Sequence, residues 1–116
     1  MTNLDYICVG VGQKLAEIDE NILRKALGII REDGVYAMFL WLENNDKNVR
    51  KKLLQDKDFK IQLVGGSQIS PDDDFNKFIE ELKKVTQDID RLFFLKKILE
   101  RTLTYGLYHS KLNSKT

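Results

Sequence analysis

The amino-acid sequence predicts an all-α fold, a single-domain bundle of about five or six helices ending in a long C-terminal helix. Three observations carry this. Apolar residues recur at three- and four-residue steps through most of the chain. Residues suited to helix caps precede several of these runs. Only one proline, Pro71, interrupts the 116 residues. A chain of that length is one domain, residues 1–116, and can bury a core without covalent staples.

Residues 4–18 form the most ambiguous segment. Leu4, Ile7 or Cys8, Val11, Leu15 and Ile18 follow a helical period, yet Tyr6-Ile7-Cys8-Val9 is rich in strand formers. Gly10 and Gly12 each weaken a helix by about 1 kcal/mol against alanine. A helix is the reading, with the glycines allowing close packing. Gly10-Val11-Gly12 lacks the third glycine and the preceding strand of a phosphate-binding turn.

Asp19 suits the N-cap of a second helix whose apolar face is Ile22, Leu23, Ala26, Leu27 and Ile30. Gly34 suits its stop. Residues 35–42, VYAMFLWL, are apolar throughout but hold one β-branched residue, so they read as a helix buried on all sides that extends through Glu43. Asn44-Asn45-Asp46 breaks the chain and caps the next helix. There Val49, Leu53 and Leu54 point inward, while Lys47, Arg50, Lys51, Lys52 and Lys57 point to water. Phe59, Ile61 and Leu63 alternate with Lys60 and Gln62, which predicts an extended linker. Val64-Gly65-Gly66-Ser67 reads as a loop.

Ser70-Pro71-Asp72-Asp73 predicts a helix start, with Ser70 as cap, Pro71 in the first turn and Asp73 in the acidic position of a capping box. Phe75, Phe78, Ile79, Leu82 and Val85 or Thr86 form its buried stripe. The stripe loses phase near Ile89, which places a break at residues 87–88 before the last helix.

That last helix carries two apolar stripes. Leu92, Leu95, Leu99, Leu103 and Gly106 or Leu107 make one. Phe94, Ile98, Tyr105, Tyr108 and Leu112 make the other, interrupted by Arg101. A helix apolar on two sides sits inside a bundle or leaves one side for another chain. Arginine tolerates a half-wet rim better than a deep core. Phe94, Ile98, Arg101, Tyr105 and Tyr108 are therefore the candidate interface.

Composition excludes several function classes. With 19 basic and 18 acidic residues the net charge is +1, which favours no charged partner globally. One cysteine, Cys8, cannot close an internal disulfide, which points to a reducing compartment. MTNLDYICVG has no secretory character and residues 35–42 are too few to span a bilayer, so the expectation is a cytoplasmic protein without a membrane partner. His109 is the only histidine, so no ordinary transition-metal site can be assembled. A Cys8–His109 pair is formally possible, but a small buried thiol and a helix-end imidazole explain both residues. Asp72, Asp73 and Asp74 lack the alternation of a calcium loop and are explained by capping. No cofactor and no catalytic residue is expected.

Lys47, Arg50, Lys51, Lys52 and Lys57 are the candidate polyanion contact, since cations along one helix can follow a phosphate backbone. Interleaved acids and the absence of an aromatic platform argue instead for a solvated face. In size, in helical class and in the aromatic-basic end YGLYHSKLNSK, the chain resembles the small all-helical subunits of type III CRISPR effector complexes, which line the guide–target channel. No diagnostic motif is shared residue by residue. The functional expectation is a non-catalytic protein–protein assembly module, either a homo-oligomer or a small subunit of a larger complex. A nucleic-acid-associated subunit is the alternative. A small enzyme is a third class with no motif behind it.

Overall fold

The computed structural model describes residues 3–65 and 68–114, with side chains through Leu112. It is all-α, with seven helices among the described residues rather than five or six: α1 (Leu4–Leu15), α2 (Glu20–Glu32), α3 (Val35–Asn45), α4 (Asn48–Gln55), α5 (Lys57–Val64), α6 (Phe75–Val85) and α7 (Ile89–Ser114). α7 is the central strut, against which α1 and α2 pack along much of their length.

The ambiguous first segment is helical. Asn3 caps it, its side chain accepting from the backbone N–H groups of Asp5 and Tyr6. Gly12 explains how α1 reaches α7. A Cβ there would lie 2.7 Å from the Tyr105 Cβ and 3.1 Å from both the Gly106 nitrogen and the Thr102 carbonyl oxygen. Gly106 answers from the other side, where a Cβ would meet the Leu15 Cβ at 3.2 Å. The two backbones cross nearly in contact, and Cys8, Val11 and Leu15 close over the inner side of α7.

Asp19 caps α2, accepting from Asn21 at 2.8 Å. Gly34, at φ 103°, both ends α2 and starts α3 in a conformation that side-chain-bearing residues rarely adopt. Gly28 has no such reason to be glycine. It lies exposed in mid-helix, and a Cβ there would meet nothing within 4 Å. Gly28→Ala should therefore stabilise the fold by about 0.5–1 kcal/mol. A thermal melt should show a midpoint higher by about 3–6 °C. An unchanged or lowered midpoint would mean that Gly28 is constrained by a contact that the isolated chain does not make.

Four expectations are corrected. Residues 35–42 are helical but not buried on all sides: Val35, Met38, Phe39 and Leu42 are inside, whereas Leu40 is 48% exposed. The segment holding Phe59, Ile61 and Leu63 is α5, not an extended linker. Asp56 caps it, accepting from Phe59 at 2.9 Å, and Phe59, Leu63 and Val64 point inward while Ile61 points out. A strand would have set Ile61 on the same face as Phe59 and Leu63, whereas burial of adjacent Leu63 and Val64 with Ile61 outside is the helical pattern. The third correction concerns Ser70 to Asp73. Half of the box forms: the Ser70 N–H donates to Asp73 Oδ2 at 2.8 Å, while Ser70 Oγ accepts from the Asp72 N–H at 3.2 Å and the Asp73 N–H donates to the Ser70 carbonyl at 3.1 Å. They close a free-standing turn, and α6 begins later, capped by Asp74. The Ser70 N–H holds the Asp73 carboxyl below its ordinary pKa. Of the loop expected at residues 64–67, Gly66 and Ser67 lie outside the described residues.

The fourth correction is Arg50. It does not face water but is 3% exposed. Its Nε and one terminal nitrogen donate to the Glu43 carboxylate at 3.1 and 3.2 Å. The other terminal nitrogen donates to the Asp73 carbonyl at 3.1 Å. The guanidinium carbon lies 5.8 Å from the ring centroids of both Phe75 and Phe78. The basic run thus contributes its only arginine to the core, where it joins α3, α4, the turn at Asp73 and α6.

Candidate functional site

α7 separates into an inner and an outer side. Leu95, Ile98, Leu99, Thr102, Leu103 and Leu107 are buried. The Ile98 carbonyl accepts from the Thr102 hydroxyl at 2.8 Å and faces the Cys8 thiol at 3.7 Å. Burial pushes the Cys8 thiol above its ordinary pKa, which keeps it protonated and unreactive near neutrality.

The outer side is a line at three- and four-residue steps. Ile89 is 65% exposed, Phe93 64%, Tyr108 60% and Leu112 60%. Between these apolar ends lie exposed Lys97 and Arg101, with half-buried Glu100 and Thr104 beside them. The whole line spans about 35 Å at the helical rise of about 1.5 Å per residue.

The expected interface stripe is therefore divided. Ile98 belongs to the chain's own core and cannot meet a partner. Phe94 is half-buried beneath the Arg91 guanidinium, 5.1 Å from its ring centroid. Arg91 in turn donates to the Gln62 carbonyl at the end of α5. Tyr105 is half-buried, and its hydroxyl donates to Asp5 Oδ1 at 2.9 Å. That hydrogen bond is the main cause of its raised pKa, so the phenol stays protonated to beyond its ordinary range. Arg101 is exposed and meets the same Asp5 oxygen at 3.5 Å. Tyr108 is fully available. Sequence reasoning missed Ile89 and Phe93. Their signal was a phenylalanine in phase with neither stripe.

A shallow cleft of about 360 Å³ opens beside this line, walled by Arg31, Lys97, Arg101, Tyr105 and Tyr108. The α4 cations are elsewhere and do not form one face. Arg50 is inside the core, and Lys52 pairs with Glu17 at 3.2 Å. Lys47 and Lys57 are exposed and Lys51 is half-buried. Cys8 and His109 are not brought together. The thiol meets α7 at Ile98, three turns from His109, or about 16 Å at the rise per residue.

No protein-family model, curated protein or solved structure matches this chain. Function is therefore argued from geometry. Among the described residues, no group of three or more histidine, cysteine, aspartate or glutamate side chains is arranged to hold a metal ion. No helix among them is long and apolar enough to cross a membrane.

Proposed function

We propose that this protein is a non-catalytic assembly module that docks on another protein chain through the outer line of α7. The observation that carries the reading is the exposure of Ile89, Phe93, Tyr108 and Leu112 on one side of a helix whose other side is already filled. They form two exposed apolar pairs, one at each end of a charged and polar centre, rather than four scattered residues. Each forgoes part of the roughly 1.5–3 kcal/mol that full burial of such a side chain contributes. Tyrosine is common at interfaces because it joins apolar area to a polar tip.

Tyr108→Glu tests this. In lysate of the source cells, the wild-type chain should elute from a sizing column well above monomer mass. The variant should elute at monomer mass, with its circular dichroism unchanged. A wild-type chain at monomer mass both in lysate and when purified at high concentration, or a variant that unfolds, would withdraw the assembly reading. The polyanion alternative draws only on Lys47, Lys51, Lys57 and the paired Lys52, and any binding through them would be weak and salt-sensitive.

A further inference from the structure

We infer that the chain docking on the outer line of α7 is a second copy of this protein, laid antiparallel across the first on a two-fold axis between Glu100 and Arg101. The inference rests on the assembly reading above and names its partner.

The line itself is symmetric. Positions 89, 93, 97, 100 and 101, 104, 108 and 112 are spaced symmetrically about the midpoint between residues 100 and 101. A two-fold interface requires a surface that is its own complement, with residue i meeting j and j meeting i. Antiparallel pairing about that midpoint sets Phe93 against Tyr108 of the second copy and Lys97 against Thr104. Arg101 meets Glu100 of the second copy, and the symmetric operation repeats each pair. Apolar therefore meets apolar at both ends, and opposite charges meet at the centre. No like charges are set against each other in this register, as specific interfaces require.

Phe93, Lys97, Arg101 and Tyr108 are exposed for this contact, and Glu100 and Thr104 are half-buried between them. Phe93 and Tyr108 stay largely exposed in the single chain. Arg101 pairs with Asp5 at 3.5 Å, with both side chains about half exposed. Such a pair is weak and leaves the other guanidinium nitrogens available. The line advances by nearly four residues per step, so it winds slowly around the helix. Two such lines meet at a crossing rather than along their full length. Positions 97, 100, 101 and 104 then lie closest, with Phe93 and Tyr108 flanking and Ile89 and Leu112 at the rim.

The pattern fits a nucleic acid poorly. A phosphate strand needs cations repeated along its track. Here Lys97 and Arg101 are flanked by apolar ends and accompanied by Glu100 and Asp5. A single helix pair is at the small end of protein interfaces, below about 1,200 Å². Association is therefore expected to be weak and visible as a mass that rises with concentration.

The test uses the purified full chain. Static light scattering should show monomer passing to dimer as concentration rises. Arg101→Glu should weaken dimerisation by about tenfold or more, and Glu100→Arg added to it should restore it. Under mild oxidation, Lys97→Cys/Thr104→Cys should give a covalent dimer. Neither single variant should do so, because each cysteine would face a non-cysteine across the axis. Circular dichroism confirms that every variant remains helical. A monomer at all concentrations, with no cross-link in the double variant, overturns the inference. Single-cysteine variants that cross-link as readily as the double variant overturn the register and with it the inference. Tight oligouridylate binding at physiological salt, lost in Arg101→Glu, would assign the face to a nucleic acid and also overturn it. If the purified chain stays monomeric while lysate still shows an assembly sensitive to Tyr108→Glu, the second copy is excluded and the assembly reading stands.

Discussion

Glu43→Ala is expected to destabilise the fold by about 3 kcal/mol. The reason lies with the partner it leaves behind. Arg50 is 3% exposed, and Glu43 receives two of its hydrogen bonds. Without Glu43, the guanidinium keeps one backbone acceptor, the Asp73 carbonyl, and the faces of Phe75 and Phe78. A buried cation so poorly matched is far less stable than the intact pair. The estimate sits at the low end for breaking a buried pair because the Glu43 side chain is 23% exposed, and water can enter where it stood. Arg50→Met should be milder, at about 1–2 kcal/mol. It removes the charge together with its need for a partner, and methionine fills much of the slot between the two rings. Glu43 can then turn to water. Urea unfolding of both variants checks the order. If Arg50→Met proved the more damaging, the charge itself would be holding α3, α4 and α6 together, and the balance argued here would be wrong.

Gly12→Ala is expected to destabilise by about 1–3 kcal/mol, although alanine is the better helix former. The new methyl carbon would stand 2.7 Å from the Tyr105 Cβ and 3.1 Å from two backbone atoms of α7. None of these is the free end of a flexible side chain. Relief requires α1 to move away from α7, which loosens Cys8, Val11 and Leu15 against the core and draws Asp5 from Tyr105 and Arg101. Gly12→Leu should leave α1 undocked. Gly10→Ala provides the control within the same helix. A Cβ at Gly10 meets nothing within 4 Å, so this variant should be neutral or stabilising by up to about 1 kcal/mol. The melting midpoint should fall in Gly12→Ala and stay the same or rise in Gly10→Ala. Shifts of the same sign would show that helix propensity, and not the crossing, governs this segment.

Much of the architecture was legible because it follows from local periodicity. The faces of α2 and α6, the cap at Asp19, the break at residues 87–88 and the two-sided character of α7 all lie within a few residues of their cause. Where local signals were short or shared, they misled. Three alternating residues around Ile61 resembled an extended segment. Asp73 accepts from the Ser70 N–H as in a capping box without starting a helix, because Asp74 makes the cap that α6 uses.

By itself, the sequence determined that the chain is helical and that α7 is apolar on more than one side. It also showed that one chain carries a single histidine and a single cysteine, too few to supply an ordinary transition-metal ligand set from those residue types. The tertiary structure alone decided which side of α7 is covered. Periodicity tells which residues share a face but not which neighbour lies against it. That depends on how closely α1 can approach, and Gly12 against Gly106 permits near backbone contact, carrying Ile98 into the core and leaving Phe93 and Tyr108 outside. Only the tertiary structure, too, could show that Arg50 is interior. An arginine in a basic run reads as solvated until a carboxylate from one element, a carbonyl from another and two aromatic rings converge on it, and those groups come from parts of the chain that no local pattern relates.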